Sequence, residues 1–191
     1  MKRILKLSFR AGAPAAVLLA ALMSAGPVAA EMLTRPGFFS VDVEGWEQDP
    51  GDNRVIFACK DCGSPVQIQI DYGPELPKEA EYQTNDEFLA RLKKEDAQRQ
   101  FASLLIEQSV PDGVELKYDI QKTSFSKVGG LKVFEYSALI ATAPRETRDS
   151  TIIGLQHHRL MKLTLNHYDD ALTPEAGARI SAFFKSLKFL M

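Results

Sequence analysis

The chain has 191 residues, 45% of them hydrophobic and 25% charged, with 12 glycines and 10 prolines. This is the composition of an ordinary globular protein, and it excludes collagen-like, low-complexity and disordered chains. The near balance of 23 basic and 25 acidic residues leaves no basic footprint for nucleic acid, and two cysteines are too few for a disulfide scaffold.

Residues 1–30 read as a signal peptide. Lys2, Arg3, Lys6 and Arg10 form a basic start without an acid, followed by the apolar run from Ala15 to Met23. Gly26-Pro27-Val28-Ala29-Ala30 supplies small residues before a cleavage site after Ala30. The apolar region, about 12 residues, is too short to span a bilayer. Removing it takes the basic count from 23 to 19 against 25 acidic residues, a net charge of −6. The mature chain, residues 31–191, is expected to be a single soluble domain in the periplasm or the secreted space. Its negative charge disfavours nucleic acid and anionic membrane as partners and leaves a cationic partner open.

Phe39, Val41 and Val43 alternate along a first strand, and Trp46 follows. Asp49-Pro50-Gly51-Asp52 suits a type II turn into a returning strand, Arg54 to Cys59. Val66 to Tyr72 alternates as a third strand. Thr84 with Glu87 is a capping-box signature opening a helical stretch to about Gln108. Its apolar residues change sides, with Phe88, Leu89 and Leu92 on one and Ala97, Phe101, Leu104 and Leu105 on the other, which predicts a bend near 93–97. Glu87 with Arg91 and Glu95 with Arg99 are spaced to pair on a solvated face.

Pro111-Asp112-Gly113 reads as a turn before a half-buried strand, Val114 to Ile120. Gly129-Gly130 reads as a turn into a longer strand, Leu131 to Ala141, with Phe134, Tyr136, Ala138 and Ile140 on one face. Thr142 to Asp149 reads as an exposed connection. Thr151 to Gln156 and Leu160 to Tyr168 form a hairpin turning at His157-His158. Thr173-Pro174 starts a last helix, whose Ala176, Ile180, Phe183, Phe184 and Leu187 can face the core. Three strands, a long helix, about four strands and a final helix predict an α+β fold. Its single antiparallel sheet, of six to seven strands, would be packed by the mid-chain and C-terminal helices.

Three stretches resemble the PsbP-like fold, which includes DcrB-like periplasmic proteins and Mog-like proteins. They are Phe39-Ser40-Val41 with Gly45-Trp46, then Val128-Gly129-Gly130-Leu131 with Phe134-Glu135-Tyr136, and Ile180 to Phe189. The family often places proline before that Gly-Trp, where Glu44 stands here. The resemblance implies a scaffold for binding and assembly, and it transfers no catalytic residue.

Cys59-Lys60-Asp61-Cys62 is the sharpest local feature. In an oxidising compartment such a pair forms a disulfide, structural or redox-active. The following Gly63-Ser64-Pro65 leads into a strand rather than the helix that would lower a thiol pKa, which favours a structural turn. Metal-bound thiols are the third option. His157, His158 and His167 lie far along the chain, adjacent histidines diverge on a strand, and no metal site or cofactor is expected. Asp42, Glu44, Glu47, Asp49 and Asp52 surround Trp46 without a base before Arg54, giving either a soluble acidic hairpin or a partner-binding edge. Nucleophile-elbow, phosphate-loop and zinc-protease motifs are missing from the sequence. The chain is therefore expected to be a non-catalytic binding or assembly-accessory protein with an envelope protein as partner. The alternative is a thiol–disulfide redox protein using Cys59 and Cys62.

Overall fold

The computed structural model describes residues 31–142, 145–168 and 172–190. The predicted signal peptide, and residues 143–144 of the predicted Thr142–Asp149 connection, lie outside the described residues. Ten strands and three helices are described, in the order β1 (Met32–Arg35), β2 (Phe39–Asp42), β3 (Trp46–Pro50), β4 (Arg54–Cys59), β5 (Val66–Glu75), α1 (Asn85–Arg91), α2 (Glu95–Ser109), β6 (Leu116–Val128), β7 (Leu131–Thr142), β8 (Arg145–Gln156), β9 (Arg159–His167), α3 (Pro174–Ser186) and β10 (Lys188–Phe189). The fold is α+β, with an antiparallel sheet of seven strands in the order β3-β4-β5-β9-β8-β7-β6. A second sheet, β1-β2-β10, stands beside it, so the first predicted strand joins this small sheet rather than the main one.

Alternation along β7 and β8 divides the core in two. Val133 and Phe134 are consecutive and both fully buried, and Ile152 and Ile153 are likewise consecutive and buried, so the sheet is covered on both faces. One face joins Val133 and Ile152 to Phe57, Ile68, Leu163, the small sheet and Phe183 of α3. The other joins Phe134 and Ile153 to Phe88 of α1 and Ala102 and Ile106 of α2.

The helix break falls where the change of apolar face predicts it, between Arg91 and Glu95. Gln98, nearly buried, donates from Nε2 to the Leu92 carbonyl (2.9 Å) and ties the two helices across the break. Thr84 and Glu87 form the capping box, with the Glu87 amide on Thr84 Oγ1 and the Thr84 amide on Glu87 Oε2. Glu87 is therefore engaged at the cap, and Arg91 pairs with Glu81 instead (2.6 Å). Glu95 and Arg99 do pair, at 3.3 Å.

Four local expectations change. Gly51 takes no positive φ and Pro50 closes β3, so residues 51–53 form the loop where a type II turn is predicted. β6 continues to Val128, because a bulge between Ile120 and Lys122 shifts the alternation. β8 starts at Arg145, so most of the predicted Thr142–Asp149 connection is strand. β1 is a further strand that lacks an apolar alternation.

Two glycines are dictated by geometry. Gly45 has φ +80°, and a side chain there would collide with the Arg179 guanidinium, which donates to the Glu44 carbonyl. Gly129 has φ +57°, and a Cβ would stand 2.8 Å from the Phe189 ring. These are the glycines of the two turns in the PsbP-like motifs.

Candidate functional site

Cys59 and Cys62 form a disulfide with Cα atoms 5.7 Å apart, in the connection between β4 and β5. Cys62 is 1% exposed and packs in the core of the α3 face, and its carbonyl accepts from the Thr173 hydroxyl, the cap of α3. The pair thus pins a strand connection to a helix start. A disulfide of this kind belongs to an oxidising compartment.

The acidic residues around Trp46 separate into three places. Trp46 is 4% exposed and packs edge-on to Phe183 (5.3 Å), so its ring is core. Asp42 accepts from the Glu44 amide (3.0 Å), and the Asp42 amide is bonded by Ser186 Oγ, fixing the turn before Gly45. Asp52 lies exposed in the hairpin loop, where its carbonyl and that of Gly51 accept from Arg35. Only Glu47 and Asp49 stand exposed along β3 itself. Their cross-strand partners are Ala58 and Ile56, on the face opposite Phe57.

That face carries the polar groups that sequence reading missed. Register places Asp49, Ile56, Gln69, Thr164, Thr151 and Tyr136 in one row across the sheet. Gln67, Asn166 and Asp149 lie in the next row, and Arg54, Asp71 and Lys162 on the other side. The helices α1 and α2 cover this face mainly over β6, β7 and β8; over β3, β4, β5 and β9 it is mostly polar, with Ile56 and Ala58 of β4 and Leu160 of β9 among the polar groups. Where the open half meets α2, a cavity of about 370 Å³ lies between Ile106 and Ser109 above and Gln69, Asp149, Thr151 and Asn166 below. Lys162 lines it and also a second cavity of about 570 Å³ at the β3–β4 loop, with Arg54 and Asp71.

The charges of this trough are mostly paired. Lys162 lies 3.6 Å from Asp71, and Gln69 donates to both Asp71 oxygens (2.7 and 2.9 Å). The hydroxyls of Thr151 and Thr164 meet at 3.3 Å. Asp149 is the exception. Burial pushes its carboxyl above the ordinary range, against hydrogen bonds from Asn166 and Thr147 and the nearby His167 and Lys162, and its Oδ1 has no partner. Burial likewise raises the Tyr136 phenol. Each of these residues is the polar alternate of a strand, and strand alternation alone reads it as solvated. Only the insertion of β9 between β5 and β8 collects them.

The histidines do not converge. His157 and His158 form the β8–β9 turn, exposed, and His157 Nε2 lies 3.0 Å from the Leu190 carbonyl. His167 ends β9. Among the described residues no group of three or more His, Cys, Asp or Glu side chains is placed to hold a metal ion. No helix among them is long and apolar enough to cross a membrane.

By sequence, no family model matches the chain and no curated protein is similar to it. By structure, it is similar to the cyanobacterial PsbP protein CyanoP from Synechocystis, with a TM-score of 0.53 at 13% identity, covering 90% of this chain and 99% of that one. LpqN of Mycobacterium tuberculosis, a protein involved in cell envelope biogenesis, matches at a TM-score of 0.47 and 12% identity, over 84% of this chain and 90% of that one. A Bacteroides thetaiotaomicron protein matches with the same score and identity over 84% of this chain, which spans 48% of its length. The last two are too distant to carry an argument. The likeness to CyanoP runs over nearly the whole of both chains and is one of architecture: this chain has a PsbP-like α+β fold.

Proposed function

We propose that the protein is a non-catalytic binding or assembly-accessory protein of the periplasm or the secreted space. The signal peptide is cleaved after Ala30, and residues 31–191 act as one domain. The observation that carries this reading is the half-covered sheet. A polar face across β3, β4, β5 and β9 is left open beside α2, with Glu47 and Asp49 exposed at its edge. An antiparallel sheet can leave one face to solvent. Here the face is graded from acidic edge to recessed trough, which suits a basic surface of another envelope protein. Trp46 anchors this edge from beneath rather than touching the partner. The disulfide supports the oxidising compartment, and the net charge of −6 disfavours nucleic acid.

Crosslinking of the mature chain in periplasmic extract tests this, with Glu47→Lys/Asp49→Lys alongside. Both positions are exposed, so the variant should fold. A partner recovered with the native protein and lost with the variant is the expected result. No partner, or one retained despite charge reversal, would overturn the assignment of this face.

A further inference from the structure

The opposite edge of the same sheet is built differently. β6 is the last strand beyond β7, and its outer side pairs with no described strand. The bulge divides it. Before the bulge, α2 attends to the edge: Arg99 donates to the Ile120 carbonyl (3.2 Å) and Tyr118 donates to Glu107 (2.7 Å). After it, Lys122 to Val128 runs in unbroken register with Ser137 to Leu131. Alternate residues of this stretch turn their N–H and C=O groups outward, a ready template for another strand.

An apolar slot of about 550 Å³ lies beside that stretch, between β6 and α1. Phe125, Leu89 and Ala90 line it, and Phe125 is 43% exposed although its ring lies 6.0 Å from the fully buried Phe134. The rim is basic. Lys132 is held by Asp86 (3.4 Å), while Lys93 and Lys127, the cross-strand neighbour of Lys132, are exposed and make no ion pair among the described residues; Lys122 is exposed on the other face of the strand, beside Ser124 and Glu135. Lysines on an edge strand commonly guard it against pairing. A guarded edge has no need of an exposed aromatic slot along the same residues, and the two together match strand addition with a side-chain pocket.

We propose that Lys122 to Val128 is a docking edge for an extended, acidic and apolar segment of a partner protein. The segment adds as an outer strand antiparallel or parallel to β6. One of its apolar side chains enters the Phe125–Leu89–Ala90 slot, carboxylates flanking it on the same face meet Lys93 and Lys127, and a carboxylate on the opposite face meets Lys122. This surface is independent of the acidic face on β3, at the far side of the sheet.

The test uses an acetylated, amidated threonine heptapeptide with valine at position 4 and glutamate at positions 2, 3 and 6, so that carboxylates flank the valine on its own face and one lies on the other, with its lysine counterpart as control. Binding is followed on the mature protein through backbone amide shifts and hydrogen exchange. The acidic peptide is expected to protect amides within 122–128 and to bind at least about 10-fold tighter than the basic one. Lys122→Glu/Lys127→Glu should reverse that preference. Phe125→Ser, at a half-open site, should weaken the acidic peptide by about 10-fold. Lys60→Glu/Lys185→Glu, matched in charge, should change neither. Equal binding of both peptides, no binding, or perturbation confined to other strands would overturn the proposal. So would protection of 122–128 that grows with protein concentration alone, which would assign the edge to a second copy of the chain.

Discussion

Asp149 shows how one residue stores a cost at the heart of the trough. Its strand neighbours Arg148 and Ser150 look outward on the other face, while it sits against Asn166 and beneath α2. Desolvation outweighs the bonds and positive neighbours that favour its anion, so the folded carboxyl titrates above its ordinary value of 3.8. A group shifted this way stabilises the fold while protonated. That contribution is complete below pH 3.8 and is lost as pH rises through the folded value. Asp149→Asn should therefore gain on the native protein as pH rises from below 3.8 toward neutrality. Urea unfolding of both at acid and neutral pH reads the difference, and a constant gap between them would contradict it.

At the scale of elements, the β8–β9 hairpin carries visible strain. His157 and His158 have φ of 48° and 57°, the left-handed pair that a two-residue hairpin turn demands and that glycine or asparagine normally supplies. His157 is compensated by the Leu190 carbonyl and by its edge contact with Phe38. His158 contributes only its carbonyl, which accepts from the Leu76 amide. His158→Gly keeps that bond and should stabilise the protein by about 0.5–1 kcal/mol, seen as a raised urea midpoint with unchanged slope. This hairpin was legible because Met161, Leu163 and Leu165 alternate plainly along β9, and Ile152 to Leu155 is a short apolar run on the other side of the turn. β3 was not, since Trp46 is its only buried residue and Glu47 to Pro50 carry no alternating apolar signal. The second half of β6 was hidden by its bulge, and the first half of β8 by being polar on both faces. The trough was beyond reach for a different reason: no local pattern reveals that β9 returns between β5 and β8.

The whole molecule is covered diagonally. The helix α3 and the small sheet bury one face of the main sheet towards β3–β5, and α1 and α2 bury the other towards β6. Phe183 is the hinge of the first layer, with ring centroids 5.3 Å from Trp46 and 5.0 Å from Phe57. Phe183→Ala should cost about 3–5 kcal/mol. The fluorescence of Trp46, the only tryptophan, should report the loosening before the far-ultraviolet dichroism changes. The arrangement leaves two unlike margins, acidic at β3 and basic at β6, on one rigid sheet. On the two proposals above, the partners would be of opposite charge and would not compete for the same edge.

The small sheet also sets the order in which the chain can finish. β2 pairs on one side with β1, four residues earlier at the turn, but on the other with β10, and the Asp42 amide donates to Ser186 Oγ, 144 positions further along the chain. Gln156 then donates to both the Phe38 and Leu190 carbonyls, fastening the two regions together. Nothing closes this clasp until residues 186–190 are in place. Until then Phe39 and Val41 lack the cover of α3 and Phe189, so the burial of a strand near residue 40 depends on a segment near residue 189.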